Sequence, residues 1–99
     1  MGVLQIALQE GFGGEHVVVA VDATVVLDEP SVHTRTQVGL ARSIEVPVRD
    51  GAVTVEVSVQ GGPRESLEID TTVTKAVLVD LDADGRLTVR ASADLPRFM

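Results

Sequence analysis

The chain has no cysteine, tryptophan or tyrosine, and its only aromatic residues are two phenylalanines. Without cysteine it can form neither a disulfide framework nor a thiolate metal site, and it has no cysteine nucleophile. Without a set of aromatic rings it lacks the platforms on which nucleic-acid bases usually stack. The same shortage removes the flat apolar surface that normally receives a sugar ring.

Positive charge is also scarce, because eight basic residues face fifteen acidic ones and the net charge is −7. An acidic surface without a basic stripe repels phosphate backbones and anionic lipid, so we expect neither a nucleic-acid nor a membrane partner. The opening segment, MGVLQIALQEGF, lacks the basic and apolar regions of a signal peptide. No apolar run approaches the roughly 20 residues of a transmembrane helix. The chain as given is therefore expected to be soluble and cytoplasmic.

β-Branched residues dominate what is present, with 19 valines and 8 threonines in 99 residues. Such side chains fit a pleated sheet and crowd a helix, so the composition predicts an all-β fold. Hydrophobic residues make up 44% of the chain, which excludes a disordered tail. Because the length suits one domain and no repeat or linker divides it, we expect a single domain over residues 1–99.

Apolar and polar residues alternate along most of the chain, and turn signals interrupt them at short intervals. This pattern is typical of a sandwich of two antiparallel β-sheets, Ig-like or transthyretin-like, with about seven to nine short strands. The expected strands cover residues 3–9, 16–22, 24–28, 31–37, 43–49, 52–60, 65–70, 73–82 and 86–92. The side chains expected to point into the core include Val46, Val48, Val55, Val57, Val79, Leu81, Leu87 and Val89.

Two segments have the pattern of β-hairpins. In SIEVPVRDGAVTVEVSV, residues 43–59, a two-residue turn at Asp50-Gly51 would keep the valines of both strands on one face. Pro47 cannot donate a ladder hydrogen bond, so its strand is expected at a sheet edge or at a bulge. In HVVVAVDATVVLD, residues 16–28, the turn is expected at Asp22-Ala23. This second segment is apolar at nearly every position, which is typical of strands buried on both faces or central in a sandwich.

A third hairpin is expected in VDLDADGRLTV, residues 79–89. Only an odd-numbered loop keeps the apolar residues of its two strands on one face, and a three-residue loop pairs Leu81 with Leu87. Such loops end in a residue with positive φ, which is the role expected of Gly85.

The same hairpin has an alternative interpretation as a calcium site. Asp80, Asp82 and Asp84 stand at alternate positions before Gly85, as in the first half of an EF-hand loop. The bidentate glutamate that such a loop needs at its twelfth position is replaced by Ala91, and no helical period flanks the segment. The pattern therefore favours the turn, with a weak calcium site as the alternative.

Two pairs of charged residues are candidates for interaction with a partner. The expected 43–59 hairpin places Glu45 directly opposite Glu56, where like charges repel. Arg49 or Lys75 nearby, a cation or a basic partner would relieve this repulsion, unless both carboxylates splay into water. His33 and Arg35 share one strand face and form a local cationic cluster. This cluster could receive a carboxylate or phosphate, or it could be an ordinary solvated face.

The two phenylalanines are candidates for a different kind of contact. Phe12 and Phe98 lie near the chain ends and outside the strand alternation, and the terminal segment DLPRFM is more apolar than a free tail usually is. We expect this segment to cover the edge of its own sandwich or to contribute to an isologous homodimer.

No local signature of catalysis is present. None of the serines stands in a G-x-S-x-G elbow, and the two histidines do not form an H-x-x-x-H pair. No cofactor is indicated, and the sequence predicts a protein that is not an enzyme.

The layout of VVVAVDATVVLDEP followed by SIEVPVRDGAVTVEVSVQGGPRESLEIDTTVTKAVLVDLDADG resembles small β-sandwich modules of the transthyretin-like, carboxypeptidase-regulatory-like and PEGA kind. The resemblance spans most of residues 17–90, and the first turn has Ala23 where those modules usually have glycine. It implies a binding or spacer module and transfers no active-site residue.

The leading hypothesis is therefore a non-catalytic β-sandwich that acts through protein–protein contact or self-association, with a strand at a sheet edge able to accept another strand. The alternative is a module that binds a metal ion or small ligand, either calcium at Asp80, Asp82 and Asp84 or a ligand near His33.

Overall fold

The computed structural model of the chain describes residues 2–34 and 40–94, and this part of the chain forms strands and turns without a helix. The all-β fold and the two-sheet sandwich are confirmed. The sequence predicts two strands at residues 24–28 and 31–37. The structure has instead one strand, which begins at residue 24 and ends at residue 33. The described residues form eight strands, which are β1 (Gly2–Leu8), β2 (Gly13–Val21), β3 (Thr24–His33), β4 (Arg42–Val48), β5 (Ala52–Val59), β6 (Arg64–Asp70), β7 (Ala76–Leu81) and β8 (Leu87–Ser92).

In this part of the chain each sheet has four strands. The first sheet has the order β4-β1-β7-β8, and the second has the order β3-β2-β5-β6. All neighbouring strands are antiparallel except β1 and β7, which run parallel. The two sheets are thus antiparallel apart from this one pair. Because the chain enters β7 after leaving the second sheet, no hairpin ties the direction of β7 to that of β1.

The core lies between the sheets and is almost entirely aliphatic. Strand alternation sends every second side chain inward, and full burial of each valine, leucine or isoleucine stabilises the fold by about 1.5–3 kcal/mol. Seven of the eight side chains expected in the core are buried, and Val89 is half-buried. The largest fully buried side chains are Leu4, Ile6, Leu8, Val17, Val19, Val55, Val57, Val77 and Val79, all from the central strands of the two sheets.

The segment after Val48 does not make the expected hairpin. β4 pairs with β1 in the first sheet, whereas β5 pairs with β2 and β6 in the second. The Asp50-Gly51 turn therefore carries the chain from one sheet to the other. Strand parity could not distinguish the two arrangements, because in both of them the valines on either side of the turn face the core. Pro47 does lie on an edge strand, as predicted.

The other two hairpins form as expected. Asp22 and Ala23 both have positive φ, of 49° and 67°, as a type I′ turn requires. In the later hairpin Leu81 pairs with Leu87, and Gly85 has a φ of 82°. The Asp82 N–H donates to the Arg86 carbonyl at 2.8 Å, which closes the three-residue loop.

Phe12 is a core residue, so its assignment as an interaction residue is wrong. It is 4% exposed and belongs to the hydrophobic cluster between the sheets. Its N–H donates to Thr34 Oγ1 at 3.0 Å, and its carbonyl accepts the Thr34 N–H at 2.8 Å. The connection from β1 to β2 crosses between the sheets and turns this ring inward. Phe98 and Arg35, the other candidates of this kind, lie outside the described residues.

Candidate functional site

The outer face of the second sheet is the most distinctive surface of the molecule. It comprises the side chains of this sheet that point away from the core. Its central members belong to β2, where Val18 and Ala20 alternate with the buried valines of the inner face. Val18 lies opposite Asp28 of β3 and Ser58 of β5. The other members are His16, Val25, Thr54, Glu56, Arg64, Ser66 and Glu68.

The centre of this face is apolar. Val18 and Ala20 are half-buried, and Val25, which lies opposite Ala20, is 58% exposed. An antiparallel sheet with one solvated face usually places polar side chains outward, so apolar residues here depart from that pattern. These three residues line an open depression of about 550 Å³, together with Asp22, Ala23, Thr54, Glu56 and Arg64.

Two hydrogen-bonded pairs of ionisable side chains stand on opposite sides of the apolar centre. On the β3 side, His16 Nε2 and Asp28 Oδ1 are in hydrogen-bond contact. The hydrogen bond to Asp28, assisted by its charge, raises the pKa of His16 above 6.5, against the opposing effect of desolvation. On the β6 side, Arg64 Nη2 lies 2.9 Å from both carboxylate oxygens of Glu56. The face thus has an apolar centre and a charged rim, which is the usual anatomy of a protein interface.

The β2–β3 turn forms one end of this face and is fixed by a carboxylate. Asp22 Oδ1 accepts the Thr54 N–H at 2.9 Å, and Asp22 Oδ2 lies 3.4 Å from Arg49 Nη2. Arg49 belongs to the connection between the two sheets, and its carbonyl accepts the Thr71 hydroxyl at 2.6 Å. These contacts hold the turn against β5 and against the crossover, so this end of the face is pre-organised.

A second feature is the groove along the edge of the sandwich, which we call the β3–β4 groove. β3 and β4 are the edge strands of their sheets on the same side of the molecule. Two depressions, of about 340 and 420 Å³, lie between them and share Val26, Val46 and Pro47. The smaller one also contacts Val21, Asp22, Thr24, Val48, Arg49 and Val53, and the larger one contacts Ile44 and Glu45.

The predicted opposition of Glu45 and Glu56 is wrong. The two glutamates belong to different sheets, because β4 and β5 are not paired. Glu45 lies opposite Gln5, and Glu56 lies between Ala20 and Ser66 in its own sheet. Glu56 is bound by Arg64, so a partner is not needed to relieve a like-charge contact between the two glutamates.

The carboxylates of the acidic hairpin have other contacts. Asp80 Oδ1 accepts the Glu10 N–H at 3.1 Å, and Asp80 Oδ2 lies 3.7 Å from Arg90 Nη2. Asp82 Oδ1 accepts the Asp84 N–H at 2.6 Å, as in an Asx turn. Within residues 2–34 and 40–94, no three His, Cys, Asp or Glu side chains are grouped so that they could hold a metal ion.

His33 lies on an exposed part of β3. Its Nε2 is 3.0 Å from the Ser31 hydroxyl, two residues away on the same strand. Within the described part of the chain no carboxylate is hydrogen-bonded to His33, so this pair lacks the group that orients the base in a catalytic triad. The predicted cluster with Arg35 falls outside the described residues.

Sequence reasoning missed the outer face of the second sheet as a site. The signal was present in HVVVAVDATVVLD, which is apolar at consecutive positions on both sides of the strand. It was interpreted as burial on both faces or a central position. β2 is indeed central in its sheet, but only the valines on its inner face, Val17, Val19 and Val21, are buried.

Comparison with known proteins gives little further information. No protein-family model and no curated protein matches the chain, so the three families that it resembles gain no support. Among solved structures, it is similar to the iodinated CBM25 from a Bacillus halodurans amylase in complex with maltotetraose. The identity is 11%, the TM-score is 0.45, and the alignment covers 97% of this chain and 100% of the other. At this level the likeness says nothing about what this chain binds.

Residues 2–34 and 40–94 contain no helix that is long and apolar enough to cross a membrane.

Proposed function

We propose that the chain is a non-catalytic binding module that takes a protein partner on the outer face of its second sheet. The observation that carries this proposal is the apolar centre formed by Val18, Ala20 and Val25 on an outward-facing side of the sandwich. A partner that removes apolar side chains at such positions from water lowers the free energy by about 25 cal/mol per Å² of apolar surface buried.

The surroundings of the apolar centre support a protein partner. The two pairs of ionisable side chains, His16–Asp28 and Arg64–Glu56, provide donors and acceptors on both sides of it. Glu68, on the same face of β6, is exposed and makes no ion pair within the described residues. The face therefore has an excess of carboxylates, and it favours a partner whose apolar residues are accompanied by lysine or arginine.

The shape of the face also fits protein recognition better than the binding of a small ligand. The depression is open rather than enclosed, whereas sites for small molecules bury most of the ligand surface. No aromatic side chain lies among the described residues that line it, so these residues offer neither a base nor a sugar ring a stacking surface.

The proposal is tested by comparing three immobilised chains as bait in an extract of the native host. The wild-type chain is compared with Val25→Glu and with the control variant Val73→Glu. Both substitutions add one carboxylate at a valine of similar exposure, 58% for Val25 and 62% for Val73. Only Val25 lies on the proposed face.

We expect a partner that the wild-type chain and Val73→Glu retain and that Val25→Glu loses. A partner retained equally by all three chains would contradict the proposal. Equal loss from both variants would also contradict it, because that result would indicate an effect of net charge and not of the face.

A further inference from the structure

Within residues 2–34 and 40–94, the backbone groups on the outer edge of β4 have no hydrogen-bond partner. The Gln5 N–H donates to the Lys75 carbonyl at 3.1 Å, so the backbone groups of Gln5 point toward β7 and away from β4. Glu45 lies opposite Gln5 and therefore forms a non-hydrogen-bonded pair with it, which turns its own N–H and C=O to the open side. By the same alternation, the backbone groups of Ser43 and Pro47 also point to the open side. Pro47 is tolerated there because the edge requires no donor from it.

These outward groups restrict how another antiparallel strand can pair with β4. If the strand is a second β4 with Ile44 on the two-fold axis, Ser43 of each copy lies opposite Glu45 of the other. That register forms four backbone hydrogen bonds and requires no N–H from Pro47. A register with Glu45 on the axis also forms four, but it places two glutamates directly opposite each other, where like charges are destabilising. The register at Ile44 is therefore favoured.

The β3–β4 groove gives this pairing an apolar contact. Ile44 is half-buried and lines the groove with Val26, Val46 and Pro47. With Ile44 on the axis, the Ile44 side chains of the two copies meet beside the groove and cover part of it. A strand with charged residues at the matching positions would lose this contact, whereas a second copy of the chain supplies it.

The contact area indicates a weak association. A strand of seven residues is about 24 Å long, and the shortest extent of the molecule is 19 Å. Their product is about 450 Å² for each copy, or about 900 Å² in total. Interfaces below about 1,200 Å² belong to weak and transient complexes. The dimer should therefore form only as the concentration rises.

We propose that the chain forms a two-fold homodimer through antiparallel pairing of β4, with Ile44 on the axis. This inference goes beyond the proposed function, because it concerns the edge of the first sheet and not the face of the second. It also predicts an effect of charge: the two Glu45 side chains would be diagonal neighbours about 7–8 Å apart, a distance at which physiological salt screens their repulsion only partly.

Sedimentation equilibrium of the full chain, from low micromolar to millimolar concentration, tests the proposal. Glu45→Pro removes an outward N–H from β4. Ala91→Pro is its control on β8, the strand at the other edge of the same sheet. The hydrogen bond from the Asp82 N–H to the Arg86 carbonyl fixes which β8 residues are hydrogen-bonded to β7. By this alternation the Ala91 N–H also points outward. Far-UV circular dichroism verifies that each variant is folded.

We expect dimerisation of the wild-type chain and of Ala91→Pro, and a monomer for Glu45→Pro. Glu45→Gln should dimerise at a lower concentration than the wild type. This shift should be larger than the shift caused by Glu68→Gln, which removes the same charge from an exposed site on the other sheet. A monomeric wild type at millimolar concentration would overturn the proposal. So would equal behaviour of the two proline variants or of the two glutamine variants, and neither result depends on whether a partner binds the second sheet.

Discussion

Among the described glycines, Gly11 is the one where an added methyl group should destabilise the fold most, because the backbone of β7 lies directly against it. Gly11 has a φ of 90°, and an ideal Cβ there would lie 1.4 Å from the carbonyl oxygen of Leu81 and 2.6 Å from its carbonyl carbon. Since non-bonded heavy atoms prefer about 3.5–4.0 Å, the backbone must move by about 2 Å to admit alanine.

That movement would disrupt the contacts on both sides of Gly11. The Gln9 N–H donates to the Val79 carbonyl at 2.7 Å, and the Leu81 N–H donates to the Glu10 carbonyl at 2.8 Å. Loss of two such bonds costs about 2 kcal/mol, and an alanine in the left-handed region costs about 1–2 kcal/mol. We therefore expect Gly11→Ala to lower the free energy of unfolding by about 3–4 kcal/mol, a large part of the 5–15 kcal/mol typical of a domain.

Gly85→Ala is the matched control. Gly85 has a similar φ of 82°, but an added Cβ there would have no atom within 4 Å, so only the backbone strain of about 1–2 kcal/mol applies. Because the chain has no tryptophan or tyrosine, unfolding in urea is best followed by far-UV circular dichroism. In a domain of this size 1 kcal/mol corresponds to about 4–8 °C, so the melting temperature of Gly11→Ala should fall by at least about 12 °C. Equal costs for the two alanine variants would refute the steric argument.

Two further predictions concern titration and metal binding. Because the folded-state pKa of His16 is raised above 6.5, its pair with Asp28 contributes stability below pH 6.5 that is lost as the pH rises through the folded-state pKa. Urea unfolding measured at a series of pH values from below 6.5 upward should show the free energy of unfolding falling with pH in the wild type and falling less in Asp28→Asn. An identical pH dependence in the two chains would contradict this assignment. Because Asp80 and Asp82 already accept backbone N–H groups, we expect millimolar calcium to raise the melting temperature no more than magnesium does; a calcium-specific rise that Asp82→Asn abolishes would instead establish the calcium alternative.

Local patterns predicted the local structure well. The hairpin with Leu81 opposite Leu87 and a positive φ at Gly85 follows from strand parity and turn chemistry, both of which are properties of adjacent residues. The edge position of Pro47 follows from its missing N–H. The fold class followed from the excess of β-branched residues, because these restrict the backbone wherever they stand in the chain.

The partners of the strands could not be predicted in the same way. Parity states which face a side chain occupies, but it does not state which strand lies beside it, so the Asp50-Gly51 turn was assigned to a hairpin when it is a crossover. The pair between His16 and Asp28 depends on the register of β2 and β3, which shifts at three irregularities. The burial of Phe12 depends on a connection that crosses the core. Each of these features is set by tertiary packing.

The proposed face and the proposed dimer have a joint geometric consequence. The two-fold axis between antiparallel strands is perpendicular to their sheet, so it keeps the second sheets of both copies on the same side of the dimer. Their outer faces would then point in one direction, with the β3 strands and Val25 of the two copies toward the middle. A partner that carries two copies of the recognised surface could bind both faces at once, and the second contact would form at the effective concentration set by this spacing. A weak dimer would in turn be stabilised by such a partner, because a ligand that binds the dimer better than the monomer shifts the equilibrium toward the dimer by mass action.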